Sequence, residues 1–552
     1  MAAAPSTAPT GALRPPRPWH SVWLAALLLL GACGGGEPPR QRAAQRLVIV
    51  GWDGAAWEMV DPLLAAGRLP NLARLMRRGV QAELLSTVMP ISSAAWVSAV
   101  TGRNPAQTGV YGFFEPVPGT YDVTLISSRS NKATPIWRTL GRHGLRSVVV
   151  GVPVTYPPEP IAGAMVACML SPKDSVYTWP PGLIARLREV GYLPDLGIWR
   201  DANTLSGPIL EKQMRAKRQV VRGLLSDQDW DLAFVVYKEL DVVSHFAYDG
   251  RLDGVVAALY QRLDEELGVL LADVGPQANV LVVSDHGFHP FAQSFFPHAW
   301  LIEQGYAVRS ADAPSAEDLE RLPLAQRRAL ENSLQMRELD LLRTRAFAGL
   351  CEGNFGGVRL NLAGREPQGC VPQAEAEALL GEIRTRLSEL RVPGKQQPLV
   401  VRFWRRDELY RGPYADLIPD LLFETDLDVA VRPISHTRAF ERHDPPFPDH
   451  RREGILVAAG PSVRSIAERG LAQIFDLGPT ALHLLGLAIY EGLDGRVLEE
   501  LLQGLPAVRF APESSERPRS AERSWLEDTS WTDPEMEEVK RRIGQLGYVE
   551  TR

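Results

Sequence analysis

Asn279-Val280-Leu281-Val282-Val283-Ser284-Asp285-His286-Gly287-Phe288 sets an acid and an imidazole directly behind the strongest apolar run of the chain. Val280 to Val283 show no polar alternation, so the run reads as a strand buried on both faces, as in parallel sheets. Asp285 and His286 then fall just past a strand end, where Gly287 allows a sharp turn.

The same kind of run recurs at 46–51, 146–151, 232–237, 420–424 and 454–458. Helical patterns occupy 57–79, 93–101, 133–143, 208–226, 254–273 and 476–487. This alternation predicts an α/β fold: a doubly wound, mostly parallel sheet with its site beyond the carboxyl ends of the strands. The stretch 310–350 is charged and reads as helical. Strand, helix and strand patterns at 357–362, 373–391 and 399–403 predict a small inserted α/β subdomain, roughly 340–415, that caps the cleft. The expected organisation is a leader at 1–33, a linker at 34–46, a catalytic domain at 47–504 and a polar tail at 505–552 that ends in a helix with Leu546-Gly547-Tyr548.

Six further positions join Asp285 and His286 in the argument. Asp53 follows the first strand in Val50-Gly51-Trp52-Asp53-Gly54, between two glycines that let the backbone turn. Ser92 and Ser93 open a helix that ends at Thr101-Gly102. Helix N-termini favour phosphate groups. Asp241 and His245 are spaced four apart, which sets both on one helix face. His450 stands just before the last strand. Read singly, these are a turn aspartate, an N-cap serine, a surface ion pair and a surface histidine. Read together, they are the carboxylate and imidazole donor mix of a hydrolytic zinc site. Two such ions could hold the attacking and leaving oxygens of a displacement at phosphorus.

Composition adds bounds. The chain has 552 residues, 45% hydrophobic and 23% charged, enough for one large core or two smaller ones. Its formal charge of -6 leaves no basic footprint for nucleic acid. Only ten histidines are present, and three of them fall in the candidate site.

The N-terminus reads as a targeting segment. Arg14 and Arg17 flank Trp23-Leu24-Ala25-Ala26-Leu27-Leu28-Leu29-Leu30, which is too short for a stable membrane span. Leu30-Gly31-Ala32-Cys33 follows and resembles a bacterial lipoprotein signal in which Cys33 becomes lipidated. The plain alternative is a secretory peptide with a chance cysteine. Either reading predicts export, and the first predicts a lipid anchor in the cell envelope. Cys168, Cys351 and Cys370 lack zinc-finger spacing. Cys351 and Cys370 could pair, and buried free thiols fit as well.

The order Asp53, Ser92, Asp241-x-x-x-His245, Asp285-His286-Gly287, His450 resembles the alkaline phosphatase superfamily. Its type I phosphodiesterase/nucleotide pyrophosphatase branch is the closer match, and within it the bacterial predicted phosphohydrolase/phosphomutase group. Pro90-Ile91-Ser92, Trp96, Thr101-Gly102-x-Asn104-Pro105, Val152 to Pro158, Gly364-Arg365-Glu366-Pro367 and Asp494-Gly495-Arg496 carry the likeness. The resemblance implies an alkaline phosphatase-like fold and two divalent ions, zinc first and manganese second. Asp241, His245 and His450 would hold one ion. Asp53, Asp285 and His286 would hold the other, with the oxygen of Ser92. Ser92 would be the nucleophile of a phosphate ester hydrolase that works through a phosphoserine. Two other outcomes fit the same residues: transfer of the phospho group to a lipid or glycan, and a non-catalytic binding lipoprotein. In two respects the chain departs from the family pattern. Thr108-Gly109 replaces a His-Gly pair, and Phe113 stands where relatives often carry an asparagine clamp. Ser92 is also not the cysteine that sulfatases need.

Overall fold

The computed structural model describes residues 43, 45–172, 174–194, 207–313, 318, 321, 335–433, 436–513 and 533–545. Cys33 and the rest of the leader, and Leu546-Gly547-Tyr548, lie outside the described residues. Among the described residues, no helix is long and apolar enough to cross a membrane.

The apolar runs at Leu47–Trp52, Leu232–Tyr237 and Asn279–Val283 are wholly buried neighbours in the centre of a nine-stranded sheet. The sheet order is Arg469–Gln473, Val80–Leu85, Glu453–Ala459, Asn279–Val283, Leu47–Trp52, Leu232–Tyr237, Ser147–Val150, Gly163–Val166, Thr178–Trp179. Glu453–Ala459 and Thr178–Trp179 run antiparallel to their neighbours, and the other pairings are parallel. Leu47 and Ile49 face one apolar layer with Trp96 and Phe234. Val48, Val50 and Trp52 face the other with Val235 and Tyr237. Burial on both faces is why these strands lack alternation. The doubly wound α/β expectation holds.

In three places the fold differs from the sequence reading. The expected helix 57–79 is two helices, Trp57–Ala65 and Pro70–Met76, because Gly67 at φ +70 turns the chain out of the first and Pro70 opens the second at its first position. The strand at Leu421–Thr425 is not part of the main sheet. It pairs with Phe355–Leu360 and Val400–Arg405 in an antiparallel four-stranded sheet that also holds Ala346–Glu352. A helix at Ala376–Glu389 packs its Leu379, Ile383 and Leu387 with Val358, Leu360 and Phe423 of this sheet. Ala346–Glu352 also shows that the end of the stretch read as helical is strand. Of the two readings left open for Cys351 and Cys370, the structure has both as free thiols, the first buried and the second exposed. Cys351 is buried beside the Gly349 carbonyl, and Cys370 donates to the Thr344 carbonyl at 3.1 Å.

A third, three-stranded sheet places Gly287–Phe295 between Val429–Val431 and Phe440–Arg451. It continues the chain directly from the end of the central strand and carries His450 back over the same sheet edge.

Candidate metal centre

The register of the central strands fixes where the acids stand. Gly51 pairs with both Val236 and Val283, so Asp53 and Asp285 leave adjacent strands at the same level. Leu232–Tyr237 ends beside them and leads into the helix Glu239–Ala247, which carries Asp241 in its first turn and His245 one turn later. All of Asp53, Ser92, Asp241, Asp285, His286 and His450 are buried.

His450 precedes the strand Glu453–Ala459, as its position suggested, but is itself in a strand. It lies near the end of the strand Phe440–Arg451, paired opposite Phe288. Gly287 also departs from its expected role. It begins a strand rather than making a left-handed turn, and a Cβ there would lie 2.3 Å from the Glu453 carbonyl oxygen. The glycine is required for close approach of two backbones, not for turning.

Two groups of donor atoms result. In the first, His450 Nε2 lies 3.1 Å from Asp241 Oδ1 and 3.1 Å from His245 Nε2, and His245 Nε2 lies 3.4 Å from Asp241 Oδ1. In the second, His286 Nε2 lies 3.0 Å from Ser92 Oγ, 3.3 Å from Asp285 Oδ2 and 3.7 Å from Asp53 Oδ1. Asp241 Oδ1 stands between the groups, 3.9 Å from His286 Nε2. Ligands about 2.0–2.2 Å from one tetrahedral ion lie roughly 3.3–3.5 Å from each other. The two groups, at 3.1–3.4 Å and 3.0–3.7 Å, scatter around that spacing.

The carboxylates support the same fit. Trp96 Nε1 donates to Asp53 Oδ2 at 2.9 Å, and the Gly54 amide donates to Asp285 Oδ1 at 3.4 Å. Among the described residues, the remaining oxygens, Asp53 Oδ1 and Asp285 Oδ2, accept no hydrogen bond although fully buried. Each acid is thus gripped by one oxygen and presents the other to the group around His286. Buried acceptors without donors are costly unless a cation meets them.

Electrostatics agree. Burial pushes the Asp53 carboxyl well up, and the neighbouring Asp285 and Asp241 charges push it further. Asp285 is pushed up to about 7 by burial and by Asp241. Burial also acts to raise Asp241, but the imidazoles of His245 and His450 outweigh it and hold this carboxyl well below the usual range. Burial, then the charge of His450, pushes His286 well down. Three acids crowded in a dry site call for positive charge.

Ser92 is the first residue of the helix Ser92–Thr101, with Ile91 in the N-cap position. Its hydroxyl faces His286, whereas the buried Ser93 hydroxyl has no hydrogen-bond partner among the described residues. Asn104 is committed elsewhere. Its side chain accepts from the Ala106 amide and donates to Asp494 Oδ1 and the Arg411 carbonyl. Phe113 is buried in the core. Glu352, which the sequence reading did not single out, stands 3.0 Å from His450 Nδ1.

Comparison with known proteins follows the same line. The family described as type I phosphodiesterase / nucleotide pyrophosphatase matches residues 47–444. The chain is 30% identical over 155 residues to ectonucleotide pyrophosphatase/phosphodiesterase family member 7 of Rattus norvegicus, a match that covers 26% of this chain and 34% of the relative. The chain therefore spans about a third of that relative's length. Among solved structures, an inactive threonine-to-alanine variant of murine ectonucleotide pyrophosphatase/phosphodiesterase 5 in complex with AMP superposes with a TM-score of 0.51 at 14% identity, covering 83% of this chain and 100% of that one. Phosphonoacetate hydrolase from Sinorhizobium meliloti 1021, in complex with phosphonoacetate, gives 0.53 at 17% identity, covering 81% and 96%. At these identities the two structures show a shared fold.

Proposed function

From the premise that this chain belongs to the type I phosphodiesterase / nucleotide pyrophosphatase family, we propose that it is a two-metal phosphoric ester hydrolase acting through a phosphoserine at Ser92. The observation that carries the reading is the pair of donor groups around His450 and His286, with ligand-like spacings and two buried carboxylate oxygens lacking donors. Asp241, His245 and His450 would hold one ion, and Asp53, Asp285, His286 and Ser92 would hold the other. Zinc suits this nitrogen and oxygen donor set, and manganese is the second choice. When bound, the two cations neutralise charge on the phosphoryl group and lower the pKa of the serine hydroxyl and of water.

The chain's own groups supply the rest. Ser92 Oγ forms a bond to phosphorus as the ester bond to the leaving alcohol breaks on the opposite side. Water then displaces Ser92, so each step inverts phosphorus. The first turn of Ser92–Thr101 adds backbone N–H groups and the positive end of the helix dipole to the phosphate site. Trp96 and the Gly54 amide fix the carboxylates, so little reorganisation is needed during turnover.

The proposed substrate class is a phosphate monoester or diester. An asparagine clamp on a phosphoryl oxygen is not part of the proposal, since Phe113 stands at that position and Asn104 is already bonded within the scaffold. Export and a lipid anchor at Cys33 complete the proposal, supported by the run from Arg14 to Cys33. A screen of the purified chain against chromogenic monoester, diester and sulfate esters, with zinc or manganese added, tests the class. Hydrolysis of a phosphate ester that stops on chelation is expected. Turnover of the sulfate ester alone, or turnover that survives chelation, would reject it.

A further inference from the structure

His450 has two ring nitrogens with different neighbours. Nε2 points into the donor group with Asp241 and His245. Nδ1 points away, 2.9 Å from the Pro90 carbonyl oxygen and 3.0 Å from Glu352 Oε1. A carbonyl can only accept, so Nδ1 carries a proton and Nε2 keeps its lone pair for the site. Glu352, Asp449 and His450 also gather donor atoms within 4.8 Å of one another. This trio is not a third metal site, because the nitrogen it would use is the one that donates to Pro90. Asp449 is turned to the backbone, where its Oδ1 accepts from the His450 amide at 2.8 Å.

Glu352 comes from the four-stranded sheet, not from the main one. It closes the strand Ala346–Glu352 at a two-residue hairpin, with Glu352 paired to Phe355 across Gly353 and Asn354. The hairpin is pressed against the ligand strand. Gly353 has φ +55, and a Cβ there would lie 2.0 Å from the His450 carbonyl oxygen. Only glycine allows that approach, and the Gly353 carbonyl is itself held by the Val431 amide at 2.7 Å.

We infer that Glu352 is a positioning residue: its carboxylate, with the Pro90 carbonyl, fixes the ring and tautomer of His450, so the four-stranded subdomain is a structural part of the Asp241/His245/His450 site. The inference rests on the metal-site reading above. Outer carboxylates of this kind orient metal-bound imidazoles and raise their donor strength.

The test is a zinc titration against a chromogenic chelator, with wild type, Glu352→Ala and the near-isosteric Glu352→Gln, each checked by metal-free melting. One class of site should weaken about 10–100-fold in Glu352→Ala and less in Glu352→Gln, with the other class unchanged. The cobalt-substituted protein should show a shifted visible spectrum from the same site. Equal zinc affinity in all three proteins would overturn the role of Glu352 and leave the metal reading intact. Equal weakening of both classes, tracking a loss of metal-free stability, would also overturn it. A wild-type chain that binds no zinc would remove the metal reading itself, and this inference with it.

Discussion

The imidazoles of His286 and His450 stack with centroids 3.7 Å apart and planes 27° from parallel. His286 lies just before the strand Gly287–Phe295, and His450 lies in the antiparallel partner Phe440–Arg451, where Phe288 pairs with His450. Their Nε2 atoms nonetheless serve different donor groups, since His286 faces Ser92 and Asp285 while His450 faces Asp241 and His245. Two charged imidazoles could not stack so closely in a dry site, and His286, pushed well down by burial and then by the charge of His450, is the neutral ring of the pair.

Metal affinity should therefore rise with pH. Asp285 holds its proton up to about 7, and must lose it to bind a cation. His450 is acted on by burial, which lowers it, but Glu352 and Asp241 outweigh this and hold it well above the ordinary imidazole value. Both groups release protons on binding, so both favour binding at higher pH. Apparent zinc affinity is expected to climb through neutral pH, with proton uptake by buffer seen in calorimetry. Affinity that is flat from pH 5 to 8 would contradict this.

Asp285→Asn should empty one site yet raise metal-free stability near pH 8. A carboxyl raised in the fold binds more protons than the unfolded chain does above its ordinary value of 3.8. Its contribution to stability is therefore present at low pH and is lost as pH rises through about 7. The neutral amide removes that loss. Melting of the metal-free proteins at pH 5 and pH 8 checks the sign: the variant should gain on wild type as pH rises.

Much of this centre was legible in the sequence because Asp53 and Asp285 each follow an unbroken apolar strand, and strand ends are where α/β sites collect. The strand bearing His450 was not legible. Phe440–Arg451 contains Asp444-Pro445-Pro446-Phe447-Pro448 and pairs on one side only, as prolines in sheets require. Its pairing with Gly287–Phe295, not its composition, makes it a strand. Leu421–Thr425 misled in the other direction: an apolar run says buried strand but not which sheet. Glu352 carried no signal, because its role depends on a hairpin whose contact with His450 is purely tertiary.

Ser92→Ala should cut turnover on the order of 10³-fold or more, as loss of an activated nucleophile does. Ser93→Ala should retain most activity, since its hydroxyl has no partner among the described residues and faces away by about 100° of helix. Rapid quench with labelled substrate, followed by peptide mapping, should place phosphate on Ser92. Label on Ser93, or on neither serine, would reverse the assignment.

Cys33→Ser should abolish lipidation and release the chain from membranes or leave it unprocessed. Membrane fractionation and mass analysis of the N-terminal peptide check this. A variant that fractionates and migrates as wild type would show that Leu30-Gly31-Ala32-Cys33 is not a lipidation signal.

The most direct measurement of the central claim is metal content of the purified chain after zinc reconstitution, read beside phosphate ester hydrolysis in the same samples. Close to two ions per chain are expected for wild type and close to one for Asp285→Ala, with hydrolysis lost in the variant. Full hydrolysis by a chain holding no metal, or wild-type metal content and turnover in Asp285→Ala, would contradict the account.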